Sequence, residues 1–180
     1  AMYTINILSI IAEIDLESLK LEPSLLGISA QSLDSESGQG IDRVGRPEIT
    51  NLSLHAFDGA EKLKRLYNKL PPFAVSEEQK QVYQQRMIEN ISAYDQLDNR
   101  TDWDSADLEK LTQMLSNDFL VIDLSKNCPV DSPAYLSIEK SLLGLSTVEN
   151  CGGRYLQEDI MAYMMALYIG GTHTPFQEYS

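Results

Sequence analysis

At 180 residues the chain has the length of a single domain, long enough to bury a core without a metal or several disulfides. Its 43% hydrophobic and 23% charged residues exclude wholesale disorder. A net charge of −13 excludes nucleic acid as a partner and electrostatic docking on anionic lipid, and its plain meaning is solubility.

Taken in order, the Ala1-Met2 start reads as a junction, with an upstream region expected before it. Ile5–Asp15 alternates, is rich in isoleucine and has apolar groups on both sides. That pattern predicts a strand buried on both faces. With the upstream region missing, such a strand predicts a homodimer, formed as it pairs with another copy. Glu17–Leu21 with Pro23 reads as a turn, and Leu25–Gln31 as a second strand antiparallel to the first. Residues 32–45 are polar and rich in Gly and Ser, and read as a flexible loop. Arg46–Leu52 fits either a short strand or a helical turn.

Helical spacing then takes over. Ala60, Leu63, Leu66, Tyr67 and Leu70 form one stripe, with Asp58 as N-cap and Pro71-Pro72 as the stop. Ser76-Glu77-Glu78-Gln79 is a capping-box pattern, opening a helix striped with Tyr83, Met87, Ile91 and Tyr94. Asp104 is placed to cap a helix carrying Leu108, Leu111 and Leu115, and Phe119–Leu124 reads as a short buried strand. Ser132-Pro133 and Gly144 bracket a helix over Pro133–Leu143. The last helix, Leu156–Ile169, is apolar nearly all round and predicts neighbours on several sides. It is too short to span a membrane, so no membrane insertion is expected.

The motifs that carry chemistry mostly fail their tests. Asp95, Asp98, Asp102, Asp104, Asp107 and Glu109 invite a calcium loop, yet counting from Asp102 puts Ala106 at the fifth position and Asp107 where glycine is required. Counting from Asp98 puts Arg100 at the third. The two histidines, His55 and His173, have no ligand spacing, so no metal and no cofactor is expected. Ser137-Ile138-Glu139-Lys140 matches Ser-x-x-Lys but lacks the companion Lys-Thr-Gly. Cys151 with His173 makes an incomplete thiol dyad. Sequons at Asn51, Asn90 and Asn99 matter only in a eukaryotic secretory pathway. Cys128 and Cys151 are a disulfide in an oxidising compartment and two small core residues in a reducing one.

Cys151-Gly152-Gly153-Arg154, followed by Glu158-Asp159, is the most distinctive stretch. Paired glycines before a helix either offer amides to an anion or let the backbone turn close to another segment. The two carboxylates already complement the helix start, which favours the structural reading. Arg154 is then expected to pair with a carboxylate across the fold, with Asp42 as the candidate.

Three stretches in order resemble the bacterial domain-of-unknown-function 4331 family. Asn6–Ile14 with Leu26–Ala30 is similar to its N-V-x-A-I-V-V-E-V … I-G-V-W-A segment. Ile41–Asn51 is similar to Q-x-x-R-x-G-R-P-x-x-N. Phe119–Leu124 with Gly152–Ile160 is similar to D-x-L-x-x-D … G-G-R-x-L-x-D-D-V-I-D. The chain departs from the pattern at Glu158 and Ala162, where the family tends to be Asp and acidic. The resemblance implies a secreted, periplasmic or envelope protein in which Cys128 and Cys151 pair, and a chain that is the C-terminal part of a larger family domain.

The resulting expectation is a single α+β domain: a small antiparallel sheet packed by four to five helices, with helix exceeding strand. Asp42, Arg43, Arg46, Arg154, Glu158 and Asp159 are its candidate binding residues, and no catalytic residue is assigned. The expected function is a non-enzymatic structural or partner-binding module. The alternative is a hydrolase-like or metal-assisted enzyme whose other site residues lie upstream. Convergence of the two signature segments on an open pocket would argue for a site, and their burial in ion pairs for scaffolding.

Overall fold

The computed structural model describes residues 10–19, 24–54, 59–128, 134–144, 150–155 and 157–171. Three helices build most of the core. The first of them, α3 (Glu77–Asp95), opens with the expected capping box: the Ser76 hydroxyl accepts from the Gln79 amide at 3.3 Å, and the Gln79 side chain accepts from the Ser76 amide at 3.0 Å. It buries Tyr83, Met87 and Ile91. Helix α4 (Ser105–Leu115) begins at Asp104, whose carboxylate accepts from the amides of Ala106 and Asp107 at 2.9 Å each, and it buries Leu108, Leu111 and Leu115. Helix α6 (Ile160–Gly170) seats Ile160, Met164, Leu167 and Tyr168 among them. Its polar anchors are specific: Trp103 donates to the Leu167 carbonyl at 3.1 Å, and the Tyr168 and Ser53 hydroxyls meet at 2.5 Å.

The remaining helices are short. Helix α1 is one turn, Leu16–Leu19. Helix α2 (Glu61–Lys69) stops at Leu70, which is extended, as a residue before proline prefers to be. The segment expected to be a strand or a helical turn is a π-helical turn, Ile49–Ser53. Helix α5 (Ser137–Leu142) begins later than expected because Leu136 is left-handed (φ 60°), which blocks extension backwards, while Gly144 (φ 71°) closes its far side. Asp58, Ser132, Pro133 and Leu156 lie outside the described residues.

The fold is α+β with helix exceeding strand, but its sheet differs from the expected one in three ways. First, the described residues form two two-stranded antiparallel sheets. Strand β1 (Leu25–Ile28) pairs with β4 (Leu120–Asp123), and β2 (Ala30–Leu33) pairs with β3 (Gly40–Val44). The run read as one strand is thus divided at Ser29 between two partners. Second, the stretch 32–45, read as a loop, carries β3. Its burial is driven by one side chain, Arg43, which the polar composition hid. Third, residues 10–15 form no strand: Ile10 is 96% and Ile11 91% exposed, and no described sheet covers them. Ile5–Ser9, the start of that expected strand, lies outside the described residues. Helix α6 is covered round most of its surface, as expected: Ile160, Met164, Leu167 and Tyr168 are buried, Tyr163 and Met165 pack partly buried against the core, and Met161 is exposed.

Candidate functional site

The Ile41–Asn51 stretch and the glycine segment after Cys151 meet the rest of the fold in different ways. Strand β3 and the turn after it deliver Arg43 and Arg46 inward, where both are buried. The turn after α4 delivers Asp118. One of its oxygens accepts from the amides of Gly45 (3.0 Å) and Arg46 (2.8 Å), and the other lies 3.2 Å from the Arg43 guanidinium. Arg43 also donates to the Leu70 carbonyl at 2.8 Å and lies 3.7 Å over the Tyr67 ring. Arg46 donates to the Asn117 carbonyl at 2.8 Å and to Glu139 on α5 at 2.6 Å. Two guanidinium groups and two carboxylates therefore balance in the interior, the arrangement that makes burying them tolerable. Glu139 Oε2 and the Tyr135 hydroxyl hydrogen-bond to no described residue, though both are buried.

The tyrosines around this ring are held neutral. Burial pushes the Tyr67 hydroxyl well above the usual tyrosine value, and the negative charge of Asp118 adds to the effect. Burial raises Tyr135 likewise. Gly45 admits no side chain, because a Cβ there would overlap the Asp118 backbone. The ring is closed over. Surface grooves of about 450 and 400 Å³ lie elsewhere: the first is bordered by Asp34, Arg65 and Lys69, the second by Asp98, Arg100 and Met165, and neither reaches Arg43 or Arg46.

The glycine segment packs by its backbone. Gly152 bridges to Ile122, flanked by hydrogen bonds from the Gly153 amide to the Val121 carbonyl (2.7 Å) and from the Asp123 amide to the Cys151 carbonyl (2.8 Å). Residues 151–153 thereby extend the β1–β4 sheet. Both glycines are left-handed, at φ 73° and 77°, and a Cβ on Gly152 would overlap the Val121 carbonyl oxygen. The Gly152 amide donates to Asn150 Oδ1 at 2.9 Å, and the Ser137 hydroxyl meets the same oxygen. With both glycine amides engaged, neither is left for an anion.

Of the six candidate residues, the structure brings together Arg43 and Arg46. Glu158 instead fixes a turn, accepting from the amides of Ala134 (3.2 Å), Tyr135 (3.1 Å) and Tyr155 (3.1 Å). Asp159 caps α6, accepting from Ala162 at 3.0 Å. Arg154 and Asp42 are both exposed, Asp42 accepts from its neighbour's amide, and no ion pair joins the two among the described residues. The expected tie between the two segments runs through α5 instead: Glu139 reaches Arg46, and Ser137, two residues away, reaches Asn150 beside Gly152.

Asp118, Glu139 and Asn150 were missed by sequence reasoning. Their contacts span 13 to 93 residues, and no local spacing encodes such distances. Of the chemistry-bearing motifs, the Ser-x-x-Lys match is the one that falls on α5. Its lysine is buried and pushed below the usual lysine value by that burial, and its serine is engaged by Asn150.

Cys128 and Cys151 form a disulfide, with Cα atoms 4.9 Å apart, so Cys151 offers no thiol. His55 and His173 lie outside the described residues, and among the described residues no three His, Cys, Asp or Glu side chains cluster as a metal set. The carboxylates that invite a calcium loop have other work. Asp95 accepts from the amides of Asp102 and Trp103, Asp98 pairs with Arg100 at 2.7 Å, and Asp104 caps α4. Of the sequons, Asn90 is buried and donates to the Ser53 carbonyl at 2.8 Å, while Asn51 and Asn99 are exposed. No helix among the described residues is long and apolar enough to cross a membrane. No protein-family model, curated protein or solved structure matches the chain.

Proposed function

We propose that this chain is a non-enzymatic, extracytoplasmic module of the kind implied by its resemblance to the bacterial family of unknown activity, a scaffold that presents surface for a protein partner. One observation carries the reading. The residues most suggestive of a site are used up inside the fold: Arg43 and Arg46 on Asp118 and Glu139, the glycine amides on Asn150 and Val121, and Glu158 and Asp159 on backbone amides. The Cys128–Cys151 disulfide supports an oxidising location. The net charge of −13 supports a protein partner over nucleic acid.

The test separates scaffold from site. Purified chain is assayed against ester, phosphate and peptide substrates alongside Arg46→Met, with melting temperature measured in parallel. The expected result is no turnover by either chain and a lower melting temperature for the variant. Turnover by the parent that Arg46→Met abolishes while the melting temperature holds would overturn the proposal.

A further inference from the structure

Among the described residues, strand β1 pairs on one side only, with β4. The Leu124 amide donates to the Ser24 carbonyl at 2.9 Å. In an antiparallel ladder the bonded pairs alternate, so Ser24, Leu26 and Ile28 face β4, and the N–H and C=O groups of Leu25 and Gly27 face outward. No described residue pairs with that outer edge. Natural edges are blunted by charge, proline or cover. Among the described residues this one has none of them: Leu25–Ile28 is Leu-Leu-Gly-Ile, with Leu25 and Ile28 each 41% exposed.

The same chain carries an unused strand sequence. Ile10-Ile11-Ala12-Glu13-Ile14-Asp15 puts Ile10, Ala12 and Ile14 on one side in an extended conformation. Ile10, Ile11 and Ile14 are 96%, 91% and 55% exposed, so the run rests neither on its own edge strand nor in its own core. An open apolar edge and an uncovered β-branched run on one chain are the two halves of a strand addition.

Resting on the reading of this chain as a binding module, we infer that the partner at this edge is a second copy. The Ile10–Ile14 run of each copy pairs with the Leu25–Ile28 edge of the other. Reciprocal exchange of this kind closes on a two-fold axis and covers the β1 edge of both copies. It places Ile10, Ala12 and Ile14 in line with the apolar residues of β1 and supplies main-chain partners for Leu25 and Gly27. Each copy carries −13, so long-range repulsion opposes the encounter, and salt strengthens the association by screening it.

Sedimentation velocity over a wide concentration range, at low and at physiological salt, tests this together with amide hydrogen exchange. The expected result is a monomer–dimer equilibrium that moves toward dimer with salt, with the Leu25 and Gly27 amides slowing in exchange as dimer forms. Replacing both Ile10→Lys and Ile14→Lys touches only exposed side chains, so the melting temperature of the monomer holds while the dissociation constant rises by about tenfold or more. A chain that stays monomeric throughout overturns the inference, as does protection of Leu25 and Gly27 that is independent of concentration, because the run would then be pairing with its own edge. Either failure leaves the scaffold reading standing, since that reading is judged by turnover and by Arg46→Met.

Discussion

The turn that follows β3 and the turn that follows Cys151 are built from similar residues: glycine, arginine and acid within a few positions. They solve opposite problems. At Arg43 and Arg46 the side chains go in, and each guanidinium must find a carboxylate because a lone buried charge is prohibitively costly. At Gly152 and Gly153 the backbone goes in, and the lack of a side chain is what lets it reach Val121, while Arg154 stays in water. A charge in a distinctive motif therefore says little about recognition until its burial is known.

The comparison can be broken most severely at the first turn. Glu139→Leu leaves Arg46 buried without its carboxylate, and urea denaturation at neutral pH should show a loss of about 3–5 kcal/mol. Combining it with Arg46→Met should recover most of that loss, because the pair is then removed as a unit. At the second turn, the Cys128–Cys151 link closes a separation of 23 residues, and replacing both cysteines with alanine should cost about 3 kcal/mol by the chain-entropy argument.

Smaller effects sharpen the contrast. Gly152→Ala combines a left-handed backbone with overlap on the Val121 carbonyl and should cost about 2–3 kcal/mol in the same assay. Gly153→Ala, whose Cβ would meet only the Ile122 side chain, should cost about 1 kcal/mol. Arg154→Ala should fall within about 0.5 kcal/mol of the parent in melting experiments. A loss there as large as that of Glu139→Leu would erase the distinction between the two turns.

What the sequence made legible was local. The Ser76 box, the Asp104 cap, the Leu108–Leu115 stripe and the short strand before Asp123 are encoded within a few residues, and each formed. Partners at long separation were not legible. Leu25–Gln31 reads as one strand, but only the positions of Leu120–Asp123 and Gly40–Val44 decide that it divides at Ser29. The isoleucines before Asp15 read as buried because their composition is apolar, yet burial also needs a covering element, which the described residues lack. Within the candidate site, Arg43 and Arg46 were identifiable as unusual, whereas Asp118 and Glu139 gave no sign of being their counterions.

The Arg46–Glu139 contact joins residues 93 apart, and the disulfide needs Cys151. A chain made from its N-terminus can therefore assemble α3 and α4 from neighbouring residues while Arg46 is still solvated. Closing the interior around it has to wait until α5 has been synthesised. Cys128 waits longer still, until Cys151 has followed it. The buried charges and the covalent clasp thus both rest on contacts of long sequence separation, which form more slowly than the local contacts within α3 and α4.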